Sequence, residues 1–460
     1  MLLTIEKLIY GGDGLARLPG LPVNDPPGND WPRNALPGDK ERGRGKAVFI
    51  PFVLAGEKID AALTEEKPGF ARAHATAIVE PSLHRVPPLC PHFGRCGGCH
   101  YQHASYEHQL EIKTEILREN LRRIAKLELA CEIQVHASPP WNYRNRSRLQ
   151  VRSRPEFAAG YFKFASHELL PVEECPISSP LINRGIAVLW QAGRAGKAVE
   201  GVREVEFFAN ADDTKLLLEF LCAPEARRAN VRAWAEELCA SMPQIAGIVA
   251  FREPQKGVQE PLVTVGEPAL TYQTKTAAYR VSAGAFFQTN RFLTDELVNI
   301  VTAGRSGDLA LDLYAGVGLF STALARDIRH IISVESSQTA AGDLQYNLPI
   351  NGKAVQIAAE QFLAELGGRE RVGTGSVLPH SHHNPDLVVA DPPRSGLGDG
   401  VARALASVHA PRVTYVSCDP ATLARDLVPL LAAGYRVEEA HLVDLFPQTY
   451  HLETVMQLVL

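Results

Sequence analysis

Nowhere does the 460-residue sequence approach the roughly 20 consecutive apolar residues that cross a bilayer, so an integral membrane role is not expected. The first residues, Met1-Leu2-Leu3-Thr4-Ile5-Glu6-Lys7, lack the basic stretch and long apolar segment of a secretory leader. A cytoplasmic protein is the expectation. Positive charge is not in excess either. With a net charge of -5 the chain is not coated for nonspecific nucleic-acid binding, and any such site must be local. Self-similarity at a period of about 20 to 50 residues is also missing, which excludes solenoids and propellers.

What is present divides into modules, about three for this length. Residues 1–84 contain short alternating runs, such as Ala47 to Val53 and Glu57 to Ala61, set off by Gly and Pro. This pattern predicts a small OB-like β-barrel. Between Pro19 and Lys46 there is almost nothing to bury, as in a loop inserted at about 20–46 between two strands. Apolar positions from Leu110 to Leu127 recur at helical spacing, predicting one amphipathic helix over 106–130. Residues 85–283 mix strands with a helix around Val231 to Cys239, an α+β module.

From 284 to 460 the rhythm becomes strand, Gly-rich turn, helix, strand. Leu309 to Leu313, Ile331 to Val334, Leu387 to Ala390 and Val413 to Val416 are the expected strands of a Rossmann-like α/β domain. A patch from Val372 to Asn384 carries His380, His382 and His383, but its Ser, Gly and Pro favour a solvated loop over a metal site.

The first strand of that domain runs into Asp312-Leu313-Tyr314-Ala315-Gly316-Val317-Gly318. A Gly-x-Gly turn between strand and helix lets backbone approach a ligand closely, or simply makes a tight turn. The third Gly of a dinucleotide fingerprint is absent, since Ser321 stands there, which disfavours a pyrophosphate. S-adenosylmethionine has no phosphate and carries a sulfonium cation that suits Asp312 or Asp391. The next strand ends at Glu335, an acid placed to accept from two ribose hydroxyls. A later one ends in Asp391-Pro392-Pro393, where two prolines hold the backbone extended.

Another strand of the same sheet delivers Ser417-Cys418-Asp419-Pro420 to the same edge. A cysteine at a strand end is, taken alone, more often structural. Beside a methyl-donor site it has a use: carbon 5 of uracil is a poor nucleophile until a thiolate adds to carbon 6. A base must then remove the carbon 5 proton, and Glu453 in His451-Leu452-Glu453-Thr454 is the candidate. Cys131, Cys222 and Cys239 lie in helical or apolar surroundings and read as small core residues.

These motifs resemble the RNA uracil-5 methyltransferase family over nearly the whole chain, on two long signatures, Tyr415 to Asp426 and Asp444 to Val455. The resemblance implies Cys418 as nucleophile and Glu453 as base. It places donor-binding roles on Gln288, Tyr314, Glu335, Gln361 and Asp391, with a backbone contact at Leu319. Where the family usually has Asn after the nucleophile, this chain has Asp419. The first 84 residues resemble the family's TRAM domain.

Cys90, Cys96, Cys99 and the distant Cys175 could by spacing hold zinc or an iron–sulfur cluster. The resemblance implies a [4Fe-4S] cluster, structural or RNA-orienting, since the spacing is not that of a radical S-adenosylmethionine enzyme. RNA is the implied partner, 23S ribosomal RNA ahead of transfer RNA, with no obligate protein partner and a monomeric chain. A cytosine-5 methyltransferase or a noncatalytic cluster-bearing RNA binder are the alternatives. Finally, Arg144, Arg146, Arg148, Arg152 and Arg154 alternate beside Trp141 and Tyr143. On a strand they would form either a basic, base-stacking stripe or an ordinary solvated face.

Overall fold

In the computed structural model, residues 1–18, 45–253, 261–367 and 384–460 are described. Most of the expected insertion at 20–46 and the three histidines of 380–383 lie outside them. The described chain forms two compact units: Met1–Gly94 with Cys99–Ile112 and Gln448–Tyr450, and Arg95–Gly98 with Lys113–Pro447 and His451–Leu460. No helix among the described residues is long and apolar enough to cross a membrane.

The smaller unit is built on a six-stranded, mostly antiparallel sheet ordered Leu2–Thr4, Lys58–Glu66, Phe70–Glu80, Ala47–Pro51, Asp13–Arg17, Lys7–Leu8. Alternation along these strands turns Leu3, Val48, Ile50, Ile59, Ala71 and Ala73 into one small core. Glu57, fully buried, is held by Arg85 at 2.5 Å and by the Leu54 N–H at 2.8 Å. Those partners lower its pKa despite burial, which acts the other way and is the largest single influence.

The larger unit contains two large sheets. One has seven strands, ordered Leu169–Pro171, Ala158–Phe162, Arg146–Arg152, Val202–Ala209, Leu216–Cys222, Ile245–Arg252, Pro261–Gly266. Its faces diverge as the strand period requires. Phe207 packs against the helix Pro180–Arg194, in a core that also takes in Arg228–Ser241, while Phe208 shares the other core with a hairpin of Ala269–Gln273 and Ala278–Ser282. Phe208, Leu217, Val249 and Phe251 share a core with Leu297, Val298, Phe320 and Leu324. This core includes residues from both sides of the module boundary expected at 283/284.

The other large sheet has eight strands, ordered Gly352–Gln356, Ile328–Glu335, Gly307–Leu313, Leu387–Ala390, Arg412–Ser417, Glu453–Val459, Arg436–Val443, Ile133–His136. All run parallel except Glu453–Val459, which is antiparallel to both neighbours. The strand order reverses at Gly307–Leu313, where the next strand in sequence lies to one side and Leu387–Ala390 to the other. That switch point opens a crevice at the carboxyl edge.

Two details depart from the sequence expectation. The helix expected over 106–130 is α-helical only over Tyr106–Asn120; a π-helical turn, Leu121–Ala125, follows and ends where Lys126 takes a left-handed φ of 54°. Ile133–His136, expected in the central module, adds instead to the edge of the eight-stranded sheet beside Arg436–Val443.

Candidate active site

Three strand ends define the crevice. After Gly307–Leu313, Tyr314 adopts φ 63°, an uncommon value for a residue with a side chain, and Gly316 and Gly318 follow at 55° and 92°. A Cβ on Gly318 would meet Leu344 at 2.8 Å, so the helix Leu319–Leu324 packs closely only because glycine stands there. A Cβ on Gly316 would meet nothing within 4 Å, which leaves room above the turn. Glu335, ending the next strand, locks the turn: its carboxylate accepts from the Gly316 N–H at 2.9 Å and the Ser337 N–H at 2.6 Å.

Asp312 is wholly buried. One oxygen accepts from the Ser321 hydroxyl, while the other has no hydrogen-bond partner among the described residues. Burial pushes its pKa up to about 7, with the Glu335 charge adding to the rise and the Ser321 contacts opposing it. Ser321, at the place of the missing fingerprint glycine, thus serves as a partner for this acid.

The second strand end carries Asp391, whose N–H donates to the Leu313 carbonyl at 3.3 Å. Burial, then the charge of Asp312, raise its pKa to about 7. Gln288 reaches it from another segment, Nε2 donating to Asp391 Oδ2 at 3.5 Å, while Asn145 holds the Gln288 carbonyl at 3.0 Å.

The loop beyond Asp391 is held by Asp426, a buried carboxylate accepting from the Leu397 N–H at 2.7 Å, the Tyr415 hydroxyl at 2.8 Å and Arg425 at 2.8 Å. Gly396 sits against it at φ 73°, where a Cβ would lie 2.3 Å from Asp426 Oδ2. Asp426→Ala leaves a buried N–H and a buried hydroxyl unsatisfied and is expected to cost about 3 kcal/mol, read by chemical denaturation. A loss under about 1 kcal/mol would contradict this account of the loop.

At the third strand end, Arg412–Ser417 pairs antiparallel with Glu453–Val459, Ser417 opposite Thr454. Extending that register by one residue puts Cys418 opposite Glu453, and the Thr454 hydroxyl donates to the Ser417 carbonyl at 3.0 Å. The helix Pro420–Ala432 begins immediately after, capped by Asp419, whose Oδ1 accepts from the N–H groups of Ala421 and Thr422, each at 2.9 Å. An Asn side-chain oxygen could do the same, so the Asp in this place preserves the local geometry.

The thiol and the acid stand in a common field. Burial raises the Cys418 pKa to about 12, with Glu453 and Asp391 adding to the rise and Arg394 opposing it. Burial and then Asp391 raise that of Glu453, and Arg394 again opposes. Arg394 is therefore a cation that favours the charged form of both groups. It stands directly after Pro392-Pro393, a position the sequence reading passed over although it had reached that motif.

Other expected residues fall elsewhere. Gln361 is exposed on the helix Ala359–Gly367, its amide donating to Glu365 at 3.2 Å. Leu319 is buried, and its carbonyl accepts from the Tyr279 hydroxyl at 3.0 Å. Cys99 is buried, and Cys90, Cys96 and Cys175 are half-buried. The Gly98 N–H lies 3.4 Å from Cys96 Sγ, and Asn183 clasps both backbone groups of Cys175 at 2.9 and 3.0 Å.

Three of the five arginines in the stripe face carboxylates. Arg146 meets Glu206 at 3.2 Å and covers the Phe208 ring at 4.5 Å; Arg148 meets Glu206 at 2.7 Å, and Arg154 meets Glu200 at 3.6 Å. Tyr143, expected to stack on bases, is fully buried with its hydroxyl on the Pro447 carbonyl at 3.0 Å.

A mixed α/β unit with a parallel sheet, one antiparallel strand, a Gly-x-Gly turn and acids at the carboxyl edge is a Rossmann-like methyltransferase fold. The chain belongs, more particularly, to the tRNA (uracil-5-)-methyltransferase family, whose model matches residues 105–459, and it is an RNA methyltransferase. A protein of Caldanaerobacter subterraneus named an uncharacterized RNA methyltransferase is 32% identical over 431 residues, covering 89% of this chain and 92% of that one. One of the same description from Streptomyces avermitilis is 33% identical over 435 residues, covering 89% and 92%. Among solved structures, the tRNA (uracil-54, C5)-methyltransferase of Pyrococcus abyssi, in complex with S-adenosyl-L-homocysteine, superposes with TM-score 0.71 at 23% identity. Both chains are covered over 100% of their length.

Proposed function

We propose that the protein methylates carbon 5 of a specific uridine in RNA, with S-adenosylmethionine as donor, through a covalent Cys418 adduct. The observation that supports this reading is the pairing of Ser417 with Thr454, whose extension by one residue sets Cys418 opposite Glu453, beside the strand that leads to Asp391. Gln288, Tyr314, Glu335 and Asp391 would hold the donor, and Gln361 joins them only by turning from Glu365. The fit is chemical: a buried acid with an unpartnered oxygen, open space above Gly316, and no phosphate cradle. When bound, the donor supplies an electrophilic methyl group.

Cys418 forms the sulfur–carbon 6 bond, and the displaced electron pair moves onto carbon 5 and the adjacent carbonyl. Arg394 favours the thiolate that this requires. Once carbon 5 is methylated, Glu453 takes its proton; the electrons re-form the ring double bond and expel the thiolate. With its pKa raised to about 12, the thiol must give its proton up to solvent water or hydroxide when RNA arrives, so adduct formation should accelerate as pH rises through neutrality.

Asp391 gives a second pH effect. Its pKa of about 7 leaves it partly protonated near neutrality, and a cation beside it favours the carboxylate. Donor binding near pH 7 should therefore release protons from the Asp312 and Asp391 pair, and affinity should rise with pH through this range. Calorimetry in two buffers of different ionisation enthalpy reads this directly; proton uptake, or release undiminished in Asp391→Asn, would contradict it.

The four thiols of Cys90, Cys96, Cys99 and Cys175 hold a [4Fe-4S] cluster that is structural or orients RNA. Supporting this are the donor set, the Gly98 N–H near Cys96 Sγ and the family spacing. Residues 1–84 serve as a TRAM-type RNA-binding domain, and the chain works as a cytoplasmic monomer without an obligate protein partner. The target is 23S ribosomal RNA ahead of transfer RNA. Incubation with 5-fluorouridine-containing transcripts of each tests the whole reading. Fluorine cannot leave as a proton does, so a denaturation-resistant protein–RNA complex should form with the true substrate, and formation with neither would oppose the mechanism.

A further inference from the structure

Lys113 lies on a helix among Ile112, Ile116 and Leu117, all buried, and is itself 0% exposed. Its ammonium donates to Asp444 Oδ1 at 2.6 Å and to the Phe446 carbonyl at 3.0 Å, and the Asp444 side chain is likewise 0% exposed. Burying such a pair costs several kcal/mol of desolvation, and apolar residues of similar shape commonly serve stability as well. Its value is better sought in what it positions.

The pair acts on the segment that leads towards Glu453. Val443 pairs with Glu453, and 444–447 begin the connection between their strands. Each residue of that segment is gripped. Lys113 holds the Asp444 carboxylate and the Phe446 carbonyl, Asn290 donates to the Leu445 carbonyl at 3.2 Å, and Tyr143 donates to the Pro447 carbonyl at 3.0 Å. Phe446 in turn packs its ring on His451 at 5.9 Å, and His451 Nε2 lies 3.4 Å from Arg394 Nη2. Arg394 is the cation that acts on both Cys418 and Glu453.

We infer that Lys113 and Asp444 are positioning residues for proton removal: the buried pair sets the 444–447 segment, and through it Phe446, His451 and Arg394, so that Glu453 meets the carbon 5 proton. The inference rests on Glu453 acting as the base. It goes beyond that reading by assigning catalytic alignment to an ion pair whose members are separated by 331 residues.

The double variant Lys113→Met with Asp444→Asn tests it, because it removes both charges, keeps both shapes and leaves no unpaired charge inside. The wild-type protein, the double variant and Glu453→Gln are compared on the unmodified transcript that the wild type methylates. Covalent protein–RNA complex is quantified on denaturing gels beside methyl incorporation. The double variant is expected to fold, to form the adduct and transfer a methyl group in the first turnover, more slowly than wild type because Arg394 also favours the Cys418 thiolate, and then to release RNA more slowly still. Its kcat should fall about 100-fold, the scale of a 1 Å misplacement, with KM for RNA within about 3-fold and covalent complex well above the wild-type level.

If Glu453→Gln accumulates the complex while a folded double variant turns over like wild type, this inference alone falls. If Glu453→Gln accumulates none, the reading of Glu453 as base falls and takes the inference with it. Should the double variant fail to fold, Asp444→Glu, which keeps both buried charges paired and displaces the 444–447 segment by one methylene, is read by the same two measurements against the same outcomes.

Discussion

Replacing Cys418 by Ala is expected to abolish methylation, by at least about 10⁴-fold in kcat, while donor affinity stays within a factor of about 3. The split follows from position. Cys418 ends the strand Arg412–Ser417, whereas Asp312, Tyr314, Glu335 and Asp391 occupy other strand ends and keep their contacts when the thiol goes. Its chain neighbours are committed to other contacts: Ser417 donates to the Asp419 carbonyl at 3.1 Å and Asp419 caps the helix. A hydroxyl in place of the thiol is a far weaker nucleophile at the same pH, so Cys418→Ser should be as inert as Ala. Loss of donor binding together with activity would instead mean that Cys418 supports the fold of the crevice.

Replacing Glu453 by Gln should give a different defect, and the contrast is informative. Gln keeps the shape and the strand pairing with Val443 but cannot take a proton. The first methyl transfer should proceed and the thiol should then be unable to leave, so turnover falls about 10³-fold while methylated RNA stays attached to protein. The buried setting sharpens the expectation. Burial and Asp391 raise the pKa of Glu453, which makes its carboxylate a stronger base than an exposed one. Release of methylated RNA at the wild-type rate would remove Glu453 from the mechanism.

Most of the candidate site was legible because its residues sit in contiguous motifs at strand ends. Apolar runs ending in Asp312, Glu335, Asp391 and Cys418 are readable as parallel strands, and the sheet places those ends on one edge. What escaped the sequence depends on partners distant along the chain. The arginines 146 and 148 alternate as a basic stripe should, yet Glu206, on a strand whose pairing cannot be counted from spacing, meets both. Lys113 reads as the polar face of an amphipathic helix until Asp444 is found beside it.

Domain boundaries escaped for a similar reason. The strand Ile133–His136 is too short to declare a sheet, and Phe208 and Phe251 alternate like any half-buried strand residues. Only the packed structure shows them sharing a core with Leu297 and Phe320. Gln361 marks the limit of carrying a role by motif alone, since its side chain here bonds to Glu365.

The central claim, thiol addition followed by loss of the carbon 5 proton, is tested most directly by tritium release from RNA labelled at uracil carbon 5. Wild-type protein should release tritium to water in step with methyl incorporation, and Cys418→Ala should release none. Methyl transfer with the tritium retained, or tritium release by Cys418→Ala at the wild-type rate, would contradict the account.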